Sequence, residues 1–337
     1  MPAPRPRKSG NQRKRGSAVH EGLVGARDLV GTPYLADPIL RAEYARDIAP
    51  RTEAALARVL VEVYGARGAA PPGRAIDLGA GTGAVGRVLR TRFGESFEVV
   101  AVDRTASPGV VRANLAVELP AVPGGAGKFD LVVAAHLLNE LFVDHTPAER
   151  VALRARRVRA WATLLAPNGL LILIEPALRE TSRELLAVRD QVLAAGLHVV
   201  APCFWTGPCP ALAHERDWCH DAAPVPSKPR VDFSYLVLRT EPVPPAPTLH
   251  RVVSDPMPEK GRLRLYVCGP QGRHPLIRLT RYRSRENAPL DRITRGAALS
   301  IANTEQATDG FRVTPATTVT TPAPPPPSAP SGPPMIK

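Results

Sequence analysis

The sequence predicts an α/β protein built on a doubly wound, mostly parallel sheet. Three observations support this fold class. Short apolar runs alternate with helical stretches between residues 74 and 239, a glycine-rich turn follows the first of these runs, and shorter basic–apolar segments come after a Pro-rich linker. The chain has 337 residues, of which 44% are hydrophobic, enough to bury a large core.

The amino-terminal part is predicted as a disordered basic arm followed by a helical extension. We assign residues 1–20 to the arm, because the first sixteen residues hold six Arg or Lys and no acid. Residues 21–70 form the extension, in which Leu56, Leu60 and their apolar neighbours follow helical spacing. Pro50 separates two helices there.

The central part, residues 71–241, carries the alternation that indicates the sheet. The apolar runs are RAIDLGAG, EVVAVD, KFDLVVAA, GLLILIEP, LHVVAP and FSYLVLR, and the helix candidates are 84–92, 147–165 and 180–195. FSYLVLR follows LHVVAP without a long helix between them, so we expect it to join the sheet antiparallel.

The carboxyl-terminal part is predicted as a small β-rich subdomain and a disordered tail. After the linker at 242–247, the segments RLRLYVC and IRLTRYRSR alternate basic and apolar residues, the pattern of half-buried strands, and we assign 248–290 to this subdomain. Residues 304–337 are rich in Thr, Pro, Ala and Ser, which is typical of disorder.

The charge of +13 and the isoelectric point of about 10.2 favour a polyanionic partner, either nucleic acid or an acidic membrane surface. No apolar segment resembles a secretory signal, and the longest apolar run, GLLILIEPAL, is too short to span a membrane. We therefore expect an intracellular protein. In a reducing compartment, four cysteines are metal ligands or redox groups more often than disulfides.

The stretch AIDLGAGTGAVG predicts a cofactor loop. The first strand runs to Asp77, and Gly79, Gly81 and Gly83 follow at alternate positions. Glycine is required where a ligand lies directly against the backbone, and the helix beginning near Gly83 points its positive end at that ligand. Asp103 follows the second strand, where an acid reaches ribose hydroxyls.

Two cofactors and a structural turn compete for this loop. The glycines also satisfy G-x-G-x-x-G, the dinucleotide fingerprint. Asp77 favours S-adenosylmethionine over NAD, because a carboxylate there repels a pyrophosphate and suits a cofactor that carries an ammonium group. The stretch resembles motif I of class I S-adenosylmethionine-dependent methyltransferases, with Asp103 resembling their ribose-binding acid.

No catalytic residue is predicted. The segment FDLVVAAHLLNEL lacks the (Asp/Asn)-Pro-Pro-(Tyr/Phe) motif and a cysteine nucleophile. His136, Asn139 and Glu140 lie where substrate approaches, and His136 is either a base or a hydrogen-bonded structural histidine. Whether the chain is an enzyme therefore stays open at this point.

The cysteines predict an inorganic centre. Three of the four lie in a Pro-rich loop at 202–220; the set is Cys203, Cys209, Cys219 and Cys268. Four thiolates bind one Zn²⁺ or a four-iron, four-sulfur (4Fe–4S) cluster. The missing C-x2-C pair disfavours zinc, His214 and His220 are substitute ligands, and four unrelated buried thiols are the remaining alternative.

Taken in order, these motifs resemble one family. The chain holds GTPYLADPILRAEYARDIAPRTEAAL, IDLGAGTGA, AAHLLNEL, the cysteine loop with WCH, and LYVCGPQG. It resembles the methyltransferase-like small-ribosomal-subunit assembly factors of mitochondria and bacteria, the Rsm-type proteins. The resemblance implies a class I methyltransferase (Rossmann-like) fold, S-adenosylmethionine binding, a 4Fe–4S cluster on the four cysteines, and contact with small-subunit ribosomal RNA.

The favoured hypothesis is thus an assembly factor that binds ribosomal RNA and uses a methyltransferase fold and a cluster as scaffold. The alternatives are an active rRNA methyltransferase and a zinc-dependent nucleic-acid-binding module with a vestigial cofactor site. We expect a cytoplasmic protein if the source is bacterial, a mitochondrial matrix protein if it is eukaryotic, and no association with membranes.

Overall fold

The computed structural model describes residues 17–65, 73–105, 107–122, 128–226, 228–246, 248–308 and 310–322. The α-helices are α1 (Ala18–His20), α2 (Pro38–Asp47), α3 (Ala49–Tyr64), α4 (Ala84–Phe93), α5 (Pro147–Ala162) and α6 (Arg179–Ala194). A π-helical turn covers Glu21–Gly25, and 3₁₀ turns cover Tyr34–Ala36, Leu138–Glu140, Pro210–Ala213, Thr280–Tyr282 and Ala288–Arg292. Within these described ranges no helix is both long and apolar enough to cross a lipid bilayer.

The first sheet confirms the predicted class I methyltransferase fold. Its strands are β1 (Arg74–Leu78), β2 (Glu98–Asp103), β3 (Val110–Arg112), β4 (Phe129–Ala135), β5 (Leu165–Pro176), β6 (His198–Ala201), β7 (Asp221–Val225) and β8 (Lys228–Arg239). They follow the order β3-β2-β1-β4-β5-β8-β6, with β7 paired to β8. Strands β1 to β5 are parallel, and β8 pairs antiparallel with both β5 and β6, as FSYLVLR predicted.

Helices cover both faces of this sheet. On one face the core includes Trp161 of α5 and Val188 of α6, and on the other it includes Leu56 of α3 and Leu89 of α4. The apolar periodicity of α3 is explained by this packing, since its buried side is the side that contacts the sheet.

The amino-terminal extension bends over the carboxyl ends of the strands. Asp37 caps α2 by accepting hydrogen bonds from the backbone of Ile39 and Leu40, and Pro50 lies in the first turn of α3, where it was predicted to separate two helices. Residues 1–16 of the predicted disordered arm (1–20) lie outside the described residues. The prediction is wrong for its last residues, because Ala18–His20 form α1 and Val19 is buried in a small apolar core.

The second sheet contains eight strands from the carboxyl-terminal part. They are β9 (Leu249–Val252), β10 (Met257–Glu259), β11 (Arg262–Gly269), β12 (Gly272–Leu279), β13 (Ala298–Ala302), β14 (Glu305–Ala307), β15 (Gly310–Val313) and β16 (Thr318–Thr320). The order is β14-β15-β12-β11-β9-β13-β16, with β10 paired to β11.

The prediction of a disordered tail from residue 304 is wrong as far as Thr320. Val313 and Val319 are buried in the core of the second sheet, and β-branched Thr residues flank them. Composition concealed these strands, because three-residue strands in a Thr- and Pro-rich stretch carry little periodicity. The β-rich region therefore continues beyond the predicted boundary at 290, and residues 323–337 lie outside the described part.

Candidate functional site

The glycine loop joins β1 to α4 in a conformation that requires glycine. Gly79, Gly81 and Gly83 have φ angles of 78°, 50° and 79°, which side chains rarely adopt. A Cβ atom on Gly81 would lie 3.2 Å from Cδ1 of Leu35, in the amino-terminal extension. The loop is therefore enclosed between the sheet and that extension.

A cavity of about 270 Å³ lies at the carboxyl ends of the parallel strands, and Gly79, Gly81 and Asp103 line it. Asp103 accepts hydrogen bonds from the backbone N–H of Gly81 at 3.0 Å and of Thr105 at 2.8 Å. These bonds hold the carboxylate at the rim and leave it acceptor capacity for a ligand. Three of the five predicted cofactor residues thus meet at one cavity.

The other two predicted residues, Asp77 and Gly83, do not line this cavity. Asp77 is only 1% exposed, and its Oδ1 has no hydrogen-bond partner among the described residues. Burial, together with the charge of Asp103, raises the pKa of Asp77 to about 8. A buried carboxyl group with one unpartnered oxygen thus lies at the end of β1, directly before the glycine loop.

We expect the ligand-free protein to lose stability between about pH 4 and 8 because of Asp77. The unfolded chain releases this proton near pH 4, whereas the folded protein keeps it until the pH passes about 8. The free energy of unfolding therefore falls by about 1 kcal/mol per pH unit across this window and levels off above it. Thermal unfolding of the wild type and of Asp77→Asn across this range measures it, and the substituted protein should show the flatter profile. Parallel profiles would mean that Asp77 keeps an ordinary pKa.

The loop after β4 borders the same cavity. His136 has a φ of 57° and donates its backbone N–H to the carbonyl of Ile174 at 2.7 Å. The buried Glu175 accepts from the backbone N–H of Leu138 at 2.9 Å and of Asn139 at 3.2 Å. Parallel pairing of β4 and β5 brings these groups together, so hydrogen bonds to the end of β5 hold the loop after β4 in place.

His136 separates the cofactor cavity from a second cavity of about 230 Å³, and it lines both. Burial and the charge of Arg51 lower the pKa of His136 to about 4, so the ring is neutral at pH 7. The hydroxyl of Tyr34 donates to Oε1 of Glu140 at 3.0 Å across the boundary between the cavities. Sequence reasoning missed Tyr34 and Leu35 as walls, although they lie in the GTPYLADP stretch that carried the family resemblance.

All four cysteines line a single smaller cavity. Cys203 follows β6, Cys209 and Cys219 flank the turn-rich loop, and Cys268 comes from β11 of the second sheet. All four are free thiols. Burial raises the pKa of Cys209 to about 11 and of Cys268 to about 12, so these thiols are protonated at neutral pH in the ligand-free protein. Neither His214 nor His220 lines this cavity.

The cysteines do not form a site for a single metal ion as they are positioned. Within the described ranges, no three His, Cys, Asp or Glu side chains are close enough to hold one ion. All four thiols line one cavity, but the described side chains do not form the closed tetrahedron of a structural zinc site.

Buried arginines surround the cysteine cavity and hold its loop. Arg189 of α6 donates to the carbonyls of Trp205 and Gly207. Arg251 of β9 donates to the Pro202 carbonyl at 2.8 Å, and Arg273 of β12 donates to Asp217 at 2.6 Å. Guanidinium groups from α6 and from the second sheet therefore fix the loop and place positive charge beside the thiols.

A family model described as "Mitochondrial small ribosomal subunit Rsm22" matches residues 40–312. The chain belongs to the Rsm22 family. The match covers both sheets and all four cysteines, so the predicted resemblance to a methyltransferase-like Rsm-type family is confirmed. Membership associates the chain with the small ribosomal subunit.

Solved structures resemble the chain only distantly. The DhpI–SAH complex is 17% identical, with 64% of this chain and 97% of that chain covered and a TM-score of 0.39. A TehB-like SAM-dependent methyltransferase from Corynebacterium glutamicum is 17% identical, with 61% and 100% covered and a TM-score of 0.36. A SAM-dependent methyltransferase from Leishmania major is 12% identical, with 66% and 86% covered and a TM-score of 0.38. Likeness this distant carries no argument about the chemistry of this Rsm22-family chain, and no curated protein matches it.

Proposed function

We propose that this Rsm22-family protein binds small-subunit ribosomal RNA and assists assembly of the small ribosomal subunit, with S-adenosylmethionine and a 4Fe–4S cluster as resident cofactors. The observation that carries the proposal is the convergence of four thiols from two sheets on one cavity. A centre there ties the basic second sheet to the methyltransferase-like sheet. The role is structural, because metal binding of this kind is coupled to folding.

The donor set fits a cluster better than zinc. Four cysteine thiolates are the usual ligands of a 4Fe–4S cluster, and the sequence lacks the C-x2-C pair that is common in zinc sites. Arg189, Arg251 and Arg273 line the same cavity and offset the negative charge of thiolate ligands. Cys203, Cys209, Cys219 and Cys268 would hold the cluster, which supplies rigid cross-linking of the two sheets.

The glycine loop fits S-adenosylmethionine. Gly79 and Gly81 leave the backbone open to a nucleoside, and Asp103 lies at the rim, where ribose hydroxyls bond a carboxylate. Asp77 lies behind the loop without lining the cavity, and a cationic ligand bound near it would favour its ionised form. When bound, the cofactor supplies a sulfonium methyl group.

Methyl transfer to ribosomal RNA is the second candidate. One observation favours it: a neutral His136 borders both the cofactor cavity and the neighbouring cavity, where it is able to accept a proton. No side chain among the described residues forms a hydrogen bond with this ring to orient it, so we keep binding, rather than catalysis, as the proposal.

The test is crosslinking of the protein to RNA in cells, followed by sequencing. We expect enrichment of one small-subunit rRNA region, and we expect the recovered complex to dissociate steeply with salt, since arginine–phosphate contacts carry the affinity. Uniform recovery of unrelated RNAs would contradict the proposal. Methylated nucleotides confined to the crosslinked region, and lost on His136→Ala, would favour the second candidate. The family description favours the predicted mitochondrial matrix location, and bacterial cytoplasm remains the alternative.

A further inference from the structure

The second sheet has the topology of an oligonucleotide-binding (OB) barrel. Strands β9, β11 and β12 form an antiparallel meander, a short helix at Ala288–Arg292 follows, and β13 then returns to pair antiparallel with β9. The chain continues into β15, which is parallel to β12. Meander, helix, return to the first strand and parallel pairing with the third strand define the five-stranded Greek-key arrangement.

The segment that contains β15 and β16 closes the barrel. β15 pairs with β12 at one end of the sheet order, and β16 pairs antiparallel with β13 at the other. Residues 310–320 thus act as one interrupted fifth strand that bridges both ends. Leu265, Leu276, Leu299, Val313 and Val319 fill the interior.

The register identifies the outer face of β11, β12 and β15. Leu265, Leu276 and Phe311 lie opposite one another and belong to the inner cluster. Side chains alternate between faces along a strand, so the adjacent residues of each strand point outward. The outward rows are Arg264, Ile277 and Arg312, then Tyr266 and Pro275, then Cys268 and Arg273. Ile277 is buried between the two arginines, whereas Arg264, Arg312 and Tyr266 are partly exposed.

This face combines cations with an aromatic ring. The guanidinium of Arg273 lies 4.5 Å from the centre of the Tyr266 ring. Arg264 is bonded to Glu259 at a half-exposed position, whereas Arg312 forms no ion pair with any described residue. Between residues 249 and 320 there are twelve Arg or Lys and six Asp or Glu, so the barrel itself is basic.

Further cations lie at the end of the barrel next to Arg264. The backbone N–H of Thr280 donates to the carbonyl of Gly261 at 2.9 Å, which brings the segment after β12 beside the start of β11. Arg281, Arg283 and Arg285 are exposed there, and Arg281 lies over the Tyr282 ring at 5.0 Å. A basic path with two aromatic rings thus runs from this end toward Cys268.

We propose that the barrel binds a single-stranded segment of RNA across the outer face of β11, β12 and β15, with Arg264 and Arg312 on phosphates and Tyr266 stacked on a base. The inference deepens the proposed RNA-binding function and rests on it. We favour single-stranded RNA over duplex RNA. In OB barrels, the face formed by the second and third strands, here β11 and β12, stacks exposed bases on aromatic side chains and binds the phosphate backbone through arginines. Cys268 belongs to the same face, so the bound strand ends at the rim of the cysteine cavity.

The experiment measures binding of the full chain to a labelled single-stranded RNA of about 12 nucleotides and to a hairpin duplex of equal length. We expect the affinity for the single strand to fall about tenfold in Arg264→Ala/Arg312→Ala. A plot of the logarithm of the binding constant against the logarithm of salt concentration should become less steep by about 1.4, because two phosphate contacts are lost. Tyr266→Leu should weaken it about tenfold while leaving the slope unchanged. The matched control is Arg156→Ala/Arg159→Ala on the exposed side of α5, which removes the same charge far from the barrel.

The outcomes separate the two proposals. Preference for duplex, or equal affinity in the barrel and control variants with unchanged melting temperatures, overturns the assignment of this face but leaves RNA binding intact. The assignment is also overturned if the barrel variants lose a protein that copurifies with the wild type while their RNA affinity stays unchanged. Failure of the wild type to bind either RNA at low salt overturns the proposed function itself.

Discussion

Cys219→Ser is expected to leave the purified protein without the brown absorbance of an iron–sulfur cluster and to weaken binding of small-subunit rRNA about tenfold, or ~1.4 kcal/mol. Cys219 lies between the turn-rich loop and β7, and it lines the cavity with the other three cysteines. Serine is nearly isosteric but is a poor ligand for iron. The loop would then lose its cross-link to Cys268, and the barrel would be less firmly held against the first sheet.

His214→Ala is the matched control for this experiment. His214 is exposed in the same loop and does not line the cavity, so its removal should change neither colour nor RNA affinity. Anaerobic reconstitution followed by iron and sulfide analysis gives the cluster content, and anisotropy gives the RNA affinity. A colourless wild type with stoichiometric zinc would refute the cluster. Unchanged RNA affinity in a cluster-free Cys219→Ser would refute the coupling between cluster and barrel.

Arg251→Met should destabilise the protein by about 3 kcal/mol. Arg251 is buried on β9 and forms an ion pair with Glu62 of α3, which also accepts from the Tyr235 hydroxyl at 2.6 Å. Its guanidinium donates further to the carbonyls of Pro202 and Gly296. Removal of the cation leaves the partly buried Glu62 with only Arg58 and Tyr235 as partners and deprives two carbonyls of a donor, which costs more than the lost attraction alone.

Arg262→Met provides the contrast, because Arg262 pairs with Glu259 on the surface and its loss should cost well under about 1 kcal/mol. Denaturant unfolding measures both variants. The double variant Arg251→Met/Glu62→Met should be more stable than the sum of its two single substitutions predicts. Equal destabilisation by Arg251→Met and Arg262→Met would show that the interface between the sheets does not depend on this arginine.

The first sheet was predictable because each element carried its own local signal. Strands buried on both faces have continuous apolar runs, Pro50 marks a helix start, and the glycines of the cofactor loop need positive φ angles. The antiparallel β8 followed from the lack of a helix before it. The convergence of the cysteines was also inferred, since Cys268 stood in a strand that had to fold back.

The rest depended on contacts between distant parts of the chain. Nothing near Leu35 indicates that it lies against Gly81, because only the bend of the extension over the sheet brings them together. The barrel was missed for a related reason. Its closing strands, β15 and β16, have four and three residues, and their pairing with β12 and β13 is visible only in the assembled register.

The amino-terminal extension is fastened over the cofactor cavity at three points. Tyr34 is bonded to Glu140, Leu35 is packed on Gly81, and Arg104, next to the rim acid, donates to the carbonyls of Gly31 and Thr32. The strap therefore covers one side of a cavity that is otherwise partly open to solvent. A nucleoside that leaves by the covered side must wait for the strap to detach, so the strap would lengthen the residence time of a bound ligand.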